Sequence, residues 1–174
     1  MDKDFKEKLK KIHCIELSCT CYRAISKEYK NPLSAEGSKK ASGRWHIKGE
    51  FEALYLSESR KVCIEELKRR VDDDTLIENL FDIFKIEINV SKILDLTSKE
   101  SLEILEIGEN QLLSGSIYEL NEVRLPNNLA RTAYKLGFEG ILVKSASLIG
   151  NNVIIFPENL LKESRITVKK NAVK

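Results

Sequence analysis

Apolar residues recur along the chain with two distinct spacings, and each spacing predicts a different element. Phe84, Ile86, Ile88 and Val90 alternate with Lys85, Glu87 and Asn89, the two-residue period of a half-buried strand. Ile93-Leu94-Asp95-Leu96 predicts another short strand after it. Two apolar runs, Gly140-Ile141-Leu142-Val143-Lys144 and Asn152-Val153-Ile154-Ile155-Phe156, are separated by a small polar loop and predict neighbouring buried strands. Residues 166–168 are expected to close the sheet. Upstream, residues 19–25 and 53–57 predict two further strands.

Helical spacing appears elsewhere. Phe5, Leu9 and Ile12 predict a short charged helix over residues 2–12, expected to pack loosely on an edge. Ser57 or Ser59 is placed to cap a helix running to about Val71, with Val62, Cys63 and Leu67 as its apolar stripe and Asp72-Asp73-Asp74 as its end. A short turn is expected between that end and the strand at Phe84. Residues 98–106 read as helix and residues 111–124 mostly as loop. After Pro126, Asn127 or Asn128 is expected to cap a helix in which Leu129 and Ala133, and Ala130 and Tyr134, are paired four apart, with Gly137 ending it. Residues 27–43 carry Asn31-Pro32, Gly37 and Ser42-Gly43, the turn chemistry of a long irregular loop of the kind that often binds ligands. Short strands interrupted by isolated helices, without regular alternation, predict an α+β fold with a largely antiparallel or mixed sheet.

Composition narrows the picture. The 174 residues suit one domain spanning residues 1–174. Its core is expected at about residues 13–157, with an N-terminal helix before it and a strand or tail over residues 158–174. Lys and Arg number 29 against 27 Asp and Glu, and no basic run with interleaved aromatics supports nucleic-acid binding. The charged N-terminus and the lack of a long apolar span predict a cytoplasmic protein without membrane attachment. Cys14, Cys19, Cys21 and Cys63 are unevenly spaced and are expected to be reduced. His13 and the first three cysteines suggest a metal cluster only superficially: C-x-C on a strand points both thiols to one face, and no second ligand pair follows. No metal site is expected.

Two arginines, a tyrosine, two adjacent glutamates and a serine remain as candidate chemistry. Arg23 and Arg44 each offer a permanent charge and a planar fork that grips phosphate oxygens, although an isolated arginine is most often an exposed or ion-paired one. Tyr55 sits between Leu54 and Leu56, so it faces away from the side they share. On a helix Glu66 lies four residues after Val62, beside the buried stripe, whereas Glu65 is placed to pair with Arg69 across the surface. Trp45 reads as a packing anchor. Taken singly, these residues name no reaction.

Their order and flanks do more. Tyr22-Arg23-Ala24, then Gly43-Arg44-Trp45, then Ala53-Leu54-Tyr55-Leu56-Ser57-Glu58-Ser59, then Glu66-Leu67 resemble the N-terminal half of the RES-domain toxins. Leu136-Gly137-Phe138-Glu139-Gly140 through Ser145-Ala146, and Asn151-Asn152 through Phe156-Pro157, resemble the family's C-terminal signature. The resemblance covers about residues 21–157, and joint agreement of separate motifs is far more specific than any one tripeptide. Departures are His46 where the family often has asparagine, Val62-Cys63 in place of Thr-Ala-type residues, and no proline near Arg60.

The resemblance implies an ADP-ribosyltransferase-like fold and the toxin of a bacterial toxin–antitoxin pair. Such a toxin depletes NAD by splitting the nicotinamide–ribose bond with phosphate (phosphorolysis) or water (hydrolysis). Transfer of ADP-ribose to a cellular protein is the enzymatic alternative, and an inactive NAD-binding or antitoxin-binding module is the alternative from another class. NAD enters as substrate, with no further cofactor, and the expected partners are NAD, phosphate and an Xre-type antitoxin. By position, the resemblance implies that Arg23 and Arg44 hold the diphosphate and that Tyr55 meets the nicotinamide. It assigns the charge developing on the ribose to Glu66, with Glu65 as the competitor. Ser145, with Ser147 behind it, would orient the glutamate or a ribose hydroxyl. Gly43 permits close backbone approach, so its loop is expected to wrap the ligand.

Overall fold

The computed structural model describes residues 3–71, 73–113 and 124–172. In chain order its elements are α1 (Lys3–Lys11), β1 (Cys14–Ser26), α2 (Glu36–Lys40), β2 (Leu54–Ser57), α3 (Arg60–Lys68), α4 (Asp74–Leu80), β3 (Phe81–Asp95), α5 (Lys99–Leu105), α6 (Glu109–Leu113), α7 (Leu125–Lys135), β4 (Gly140–Lys144), β5 (Asn151–Ile155), a 3-10 turn (Pro157–Asn159) and β6 (Arg165–Ala172). The fold is α+β with one mixed sheet, in the order β1-β2-β5-β4-β3-β6. A further antiparallel pairing between β1 and β3 joins the ends of that series into a ring of five strands, so the sheet closes as a barrel. Among the described strands only β3–β4 is parallel.

Ring closure rests on the two long strands. The predicted strands at residues 84–90 and 93–96 are one continuous β3, because β1 pairs with it from Cys14↔Leu94 to Ser26↔Phe81 and bridges the supposed gap. On its other edge β3 changes partner, from β6 at Phe84 to Asn89 to β4 at Ile93 to Asp95. At the changeover the N–H groups of Ser91 and Lys92 have no strand opposite and donate to Glu139 Oε2 at 2.8 and 2.9 Å. Unpaired buried N–H groups are costly, so this carboxylate completes the ladder. β6 does not close the sheet: it lies outside the ring on β3, and β1 performs the closure.

Alternate residues point to opposite faces of a strand, and the apolar residues divide accordingly. Leu54, Leu56, Ile86, Ile88, Val90, Ile93, Val153 and Ile155 form one buried cluster with Cys21. Ile141, Val143, Ile154 and Phe156 face a second, larger cluster that Leu9, Leu105, Leu112, Leu129 and Ala133 supply from α1, α5, α6 and α7. α1 is therefore not a loose appendage: Leu9 is fully buried and Ile12 nearly so. Truncating a leucine so enclosed costs about 2–5 kcal/mol.

Several predicted boundaries move for local reasons. Ser59, not Ser57, caps α3 by accepting the Val62 N–H, and Asp73 caps a helix, α4, where only a turn was expected. α7 begins at Leu125 with Pro126 in its first turn, so neither Asn127 nor Asn128 is its cap. Gly137, at φ 74°, ends it as expected. The loop expected at residues 111–124 begins inside α6, and residues 114–123 lie outside the described residues. Residues 27–43 are irregular except for α2.

Candidate active site

The site is built where α3 and the loop between β4 and β5 meet the edge of β2 and β5. Glu66 projects from α3, and its Oε1 accepts three hydrogen bonds: from Ser145 Oγ at 2.6 Å, from the Ala146 N–H at 2.9 Å and from Asn152 Nδ2 at 2.9 Å. Among the described residues nothing bonds its Oε2. A carboxylate held at one oxygen has its position and rotation set while the other oxygen stays able to accept from, or stabilise charge on, a ligand. Ser145 is fully buried, and its Oγ lies 2.6 Å from Ser147 Oγ, so both expected serines reach the site in series.

Asn152 was not among the sequence candidates. A carboxylate only accepts, so the group facing Glu66 must be the Asn152 amide NH2, and its Oδ1 then accepts from Ser57 Oγ at 2.9 Å. The Ser57↔Asn152 pairing of β2 and β5 sets this relay. The available signal was Asn152 itself, a polar residue at the start of an apolar strand.

Arg44 lies in the loop between α2 and β2, and that loop is clamped from several directions. Asn127 Nδ2 donates to the carbonyls of Gly43 at 2.8 Å, Arg44 at 3.0 Å and His46 at 3.2 Å. Asn127, read from sequence with Asn128 as an alternative helix cap, is instead this clamp. His46 Nε2 lies 2.8 Å from the Ala41 carbonyl and Nδ1 2.8 Å from Tyr55 Oη. Nε2 must therefore carry the proton, Nδ1 accepts from the tyrosine hydroxyl, and Tyr55 Oη accepts the Trp45 N–H at 3.1 Å. Burial lowers the His46 pKa, partly opposed by the Ala41 carbonyl, which favours this neutral tautomer. A Cβ on Gly43 would lie 2.5 Å from His46 Cε1 and 2.9 Å from Tyr55 Oη, so only glycine lets the loop close on the tyrosine. Trp45 is buried in the larger core, as its anchor reading requires.

The two arginines differ. Arg23 Nη1 and Nη2 donate to the carbonyls of Pro32 and Ser34 at 2.8 and 2.9 Å, bracing the long loop after β1. Burial lowers its pKa to about 10, which leaves it cationic at neutral pH. The half-buried Arg44 guanidinium makes no hydrogen bond or ion pair with the described residues. Burial depresses its pKa while the Glu66 carboxylate counteracts this, and the charges of Arg69 and Arg124 also reach it. Tyr55 is half-buried with its hydroxyl tied to the clamp, and burial raises its pKa strongly. Glu65 faces Lys68 at 3.9 Å and not Arg69, whose Nη1 donates to the Ala146 carbonyl at 2.5 Å. Cys19 and Cys21 share a face with Sγ atoms 3.7 Å apart, and among the described residues no group of His, Cys, Asp and Glu is arranged to hold a metal ion.

Fold and site together define an α+β barrel domain that presents one half-free carboxylate among arginines at the end of its sheet. The model of the RES domain matches residues 20–172, and the chain belongs to that family. The chain is similar to the NAD(+) phosphorylase MbcT of Mycobacterium tuberculosis, with 28% identity over 141 residues that span 78% of this chain and 72% of MbcT. The Mycobacterium bovis protein of the same name matches to the same extent. A chain of the M. tuberculosis MbcT–MbcA toxin–antitoxin complex has the same fold, with a TM-score of 0.77 and 23% identity over 97% of this chain and 91% of that one.

Proposed function

We propose that the chain is the toxin of a toxin–antitoxin pair and depletes NAD by cleaving its nicotinamide–ribose bond, with inorganic phosphate as the acceptor. The observation that carries this reading is Glu66, fixed through Oε1 by Ser145, Ala146 and Asn152 and open at Oε2. As nicotinamide leaves, positive charge develops on the ribose, and a preorganised carboxylate oxygen stabilises it more than it stabilises the ground state. Glu66 is thus assigned over Glu65, which faces Lys68.

Arg44, clamped by Asn127 through its carbonyl and with no side-chain partner among the described residues, supplies the fork for the diphosphate. Arg23 adds positive charge and braces the loop at Pro32 and Ser34, its remaining donors completing the grip. The Tyr55 ring meets the nicotinamide, where cation–π attraction favours the pyridinium over the neutral product. Ser145 orients the carboxylate. The relative named as an NAD(+) phosphorylase supports phosphate as acceptor over water or a protein side chain, and the toxin–antitoxin neighbour supports an antitoxin as partner. The closed mixed sheet is read as an ADP-ribosyltransferase-like variant. Among the described residues no helix is long and apolar enough to cross a membrane, which is consistent with work on cytoplasmic NAD.

The test is to incubate purified protein with NAD, with and without phosphate, and to follow nicotinamide and ADP-ribose products by NMR. Phosphate-dependent release of nicotinamide together with ADP-ribose 1-phosphate is expected. NAD that stays intact under every condition sinks the proposal, and label from NAD found on protein in a lysate would redirect it to ADP-ribosylation.

A further inference from the structure

Arg69 is a cation beside Glu66 that the reading above leaves unused. It closes α3 three residues after Glu66, so the two side chains leave the same helix face. Its ready carboxylate partners are taken: Lys68 lies 3.9 Å from Glu65 and 3.0 Å from Asp74. Arg69 reaches instead across to the β4–β5 loop, where Nη1 donates to the Ala146 carbonyl at 2.5 Å. The N–H of that same Ala146 donates to Glu66 Oε1 at 2.9 Å. One residue is therefore held from both sides, by the carboxylate at its N–H and by the guanidinium at its C=O. Arg69 is thereby tied to the site of bond breaking, while its side chain stays exposed and its Nε–Nη2 edge makes no bond to the described residues.

A permanent cation here has a specific chemical use. Water attacking the ribose needs no countercharge, but a phosphate dianion must come up beside the Glu66 carboxylate and is repelled by it. A guanidinium next to the carboxylate cancels that repulsion and offers two parallel donors to two phosphate oxygens. Arg44 lies within the field of both Glu66 and Arg69, so the carboxylate is flanked by cations from two separate elements. Arg44 comes from the clamped loop and serves the diphosphate. Arg69 comes from the C-terminal end of the carboxylate's own helix and is tied to Ala146, the residue whose N–H holds Glu66 Oε1.

We propose that Arg69, positioned by the Ala146 carbonyl, forms the binding site for inorganic phosphate, the attacking group. This rests on the NAD-cleaving reading above and adds where the nucleophile is held. In the step, a phosphate oxygen forms a bond to the ribose C1′ as the C1′–N bond breaks. The electron pair of that bond passes to the pyridinium nitrogen and releases neutral nicotinamide. The phosphate proton stays on the ester and is then lost to solvent.

Initial rates over a phosphate series at saturating NAD, and over an NAD series at saturating phosphate, separate the two subsites. R69Q removes the charge, and R69K keeps it but removes the fork. The KM for phosphate is expected to rise about tenfold or more in R69Q and less in R69K, with the KM for NAD changed less than about twofold. Thermal unfolding with added inorganic phosphate gives a second readout that needs no turnover: phosphate should raise the melting temperature of the wild type and not of R69Q. An unchanged phosphate KM in R69Q, or a parallel rise in both KM values, overturns the assignment. Wild-type NAD cleavage indifferent to phosphate also overturns it while leaving NAD cleavage standing. If the wild type consumes no NAD, the parent reading fails, and equal phosphate stabilisation of wild type and R69Q then removes the subsite as well.

Discussion

Glu66 and Glu139 are both carboxylates set among backbone N–H groups, and they are satisfied in different ways. Glu139 is fully buried, with Oε2 taken by Ser91 and Lys92 and Oε1 by Leu161 at 3.1 Å. Glu66 is half-buried and receives all three of its donors on Oε1. A carboxylate satisfied on both oxygens joins strands, whereas one satisfied on a single oxygen is fixed yet still able to act. The same contrast separates Arg23, whose terminal nitrogens brace the loop after β1, from Arg44, whose guanidinium makes no bond to the described residues.

The largest effect expected from this contrast is on turnover. Glu66→Gln should lower NAD consumption by about 10²–10³ with little change in melting temperature, because the amide oxygen can still accept at the Oε1 position. Retained activity in that variant, or loss confined to Glu65→Gln, would break the assignment. Glu139→Gln should do the reverse. An amide has one acceptor oxygen, so its NH2 must face an N–H donor, and stability should fall by about 1–3 kcal/mol while the folded protein keeps its kcat. Denaturant unfolding measured beside initial rates tests this, and a matching loss of kcat without loss of stability would contradict it.

Smaller effects sharpen the comparison further. Asn152→Ala removes one of three donors from Glu66 and should lower kcat by about tenfold, the net worth of one hydrogen bond to a charged group, leaving the KM for NAD nearly unchanged. A rise in KM alone would place Asn152 against the ligand instead. Asn127→Ala should loosen the Arg44 loop and act on KM more than on kcat, and equal effects on both would argue against a clamp.

Acid should distinguish the two carboxylate settings as well. Burial opposes ionisation of Glu139, but the N–H donors of Leu161, Ser91 and Lys92 outweigh it and hold the pKa below its usual 4.5. The stability it contributes is therefore present above about pH 4.5 and lost as pH falls through the lowered native pKa. Wild-type stability should drop more steeply below pH 4.5 than that of Glu139→Gln, and parallel curves would refute this. His46, lowered from 6.5 by burial, acts at higher pH: the unfolded chain takes up the proton first, so the part of stability due to neutral His46 begins to fade as pH drops below 6.5.

Much of this molecule was legible before its fold. Alternation predicted the strand core around Ile86 and Ile88, four-residue pairing predicted α7, and the ordered motifs carried the family through Arg23, Arg44, Tyr55, Glu66 and Ser145. These are local signals, because strand period, helix period and motif spacing are written in neighbouring residues. Tertiary structure alone decided which oxygen of Glu66 is open, which arginine commits two of its donors to bracing a loop and that Asn127 clamps a loop instead of capping a helix. It also decided that Arg69 turns to Ala146 and not to Glu65. Those outcomes depend on pairs far apart in sequence, 86 residues between Glu66 and Asn152 and 84 between Gly43 and Asn127. Hydrogen-bond satisfaction is a property of the closed barrel, where a donor's partner is set by strand register and loop path, which no local pattern encodes.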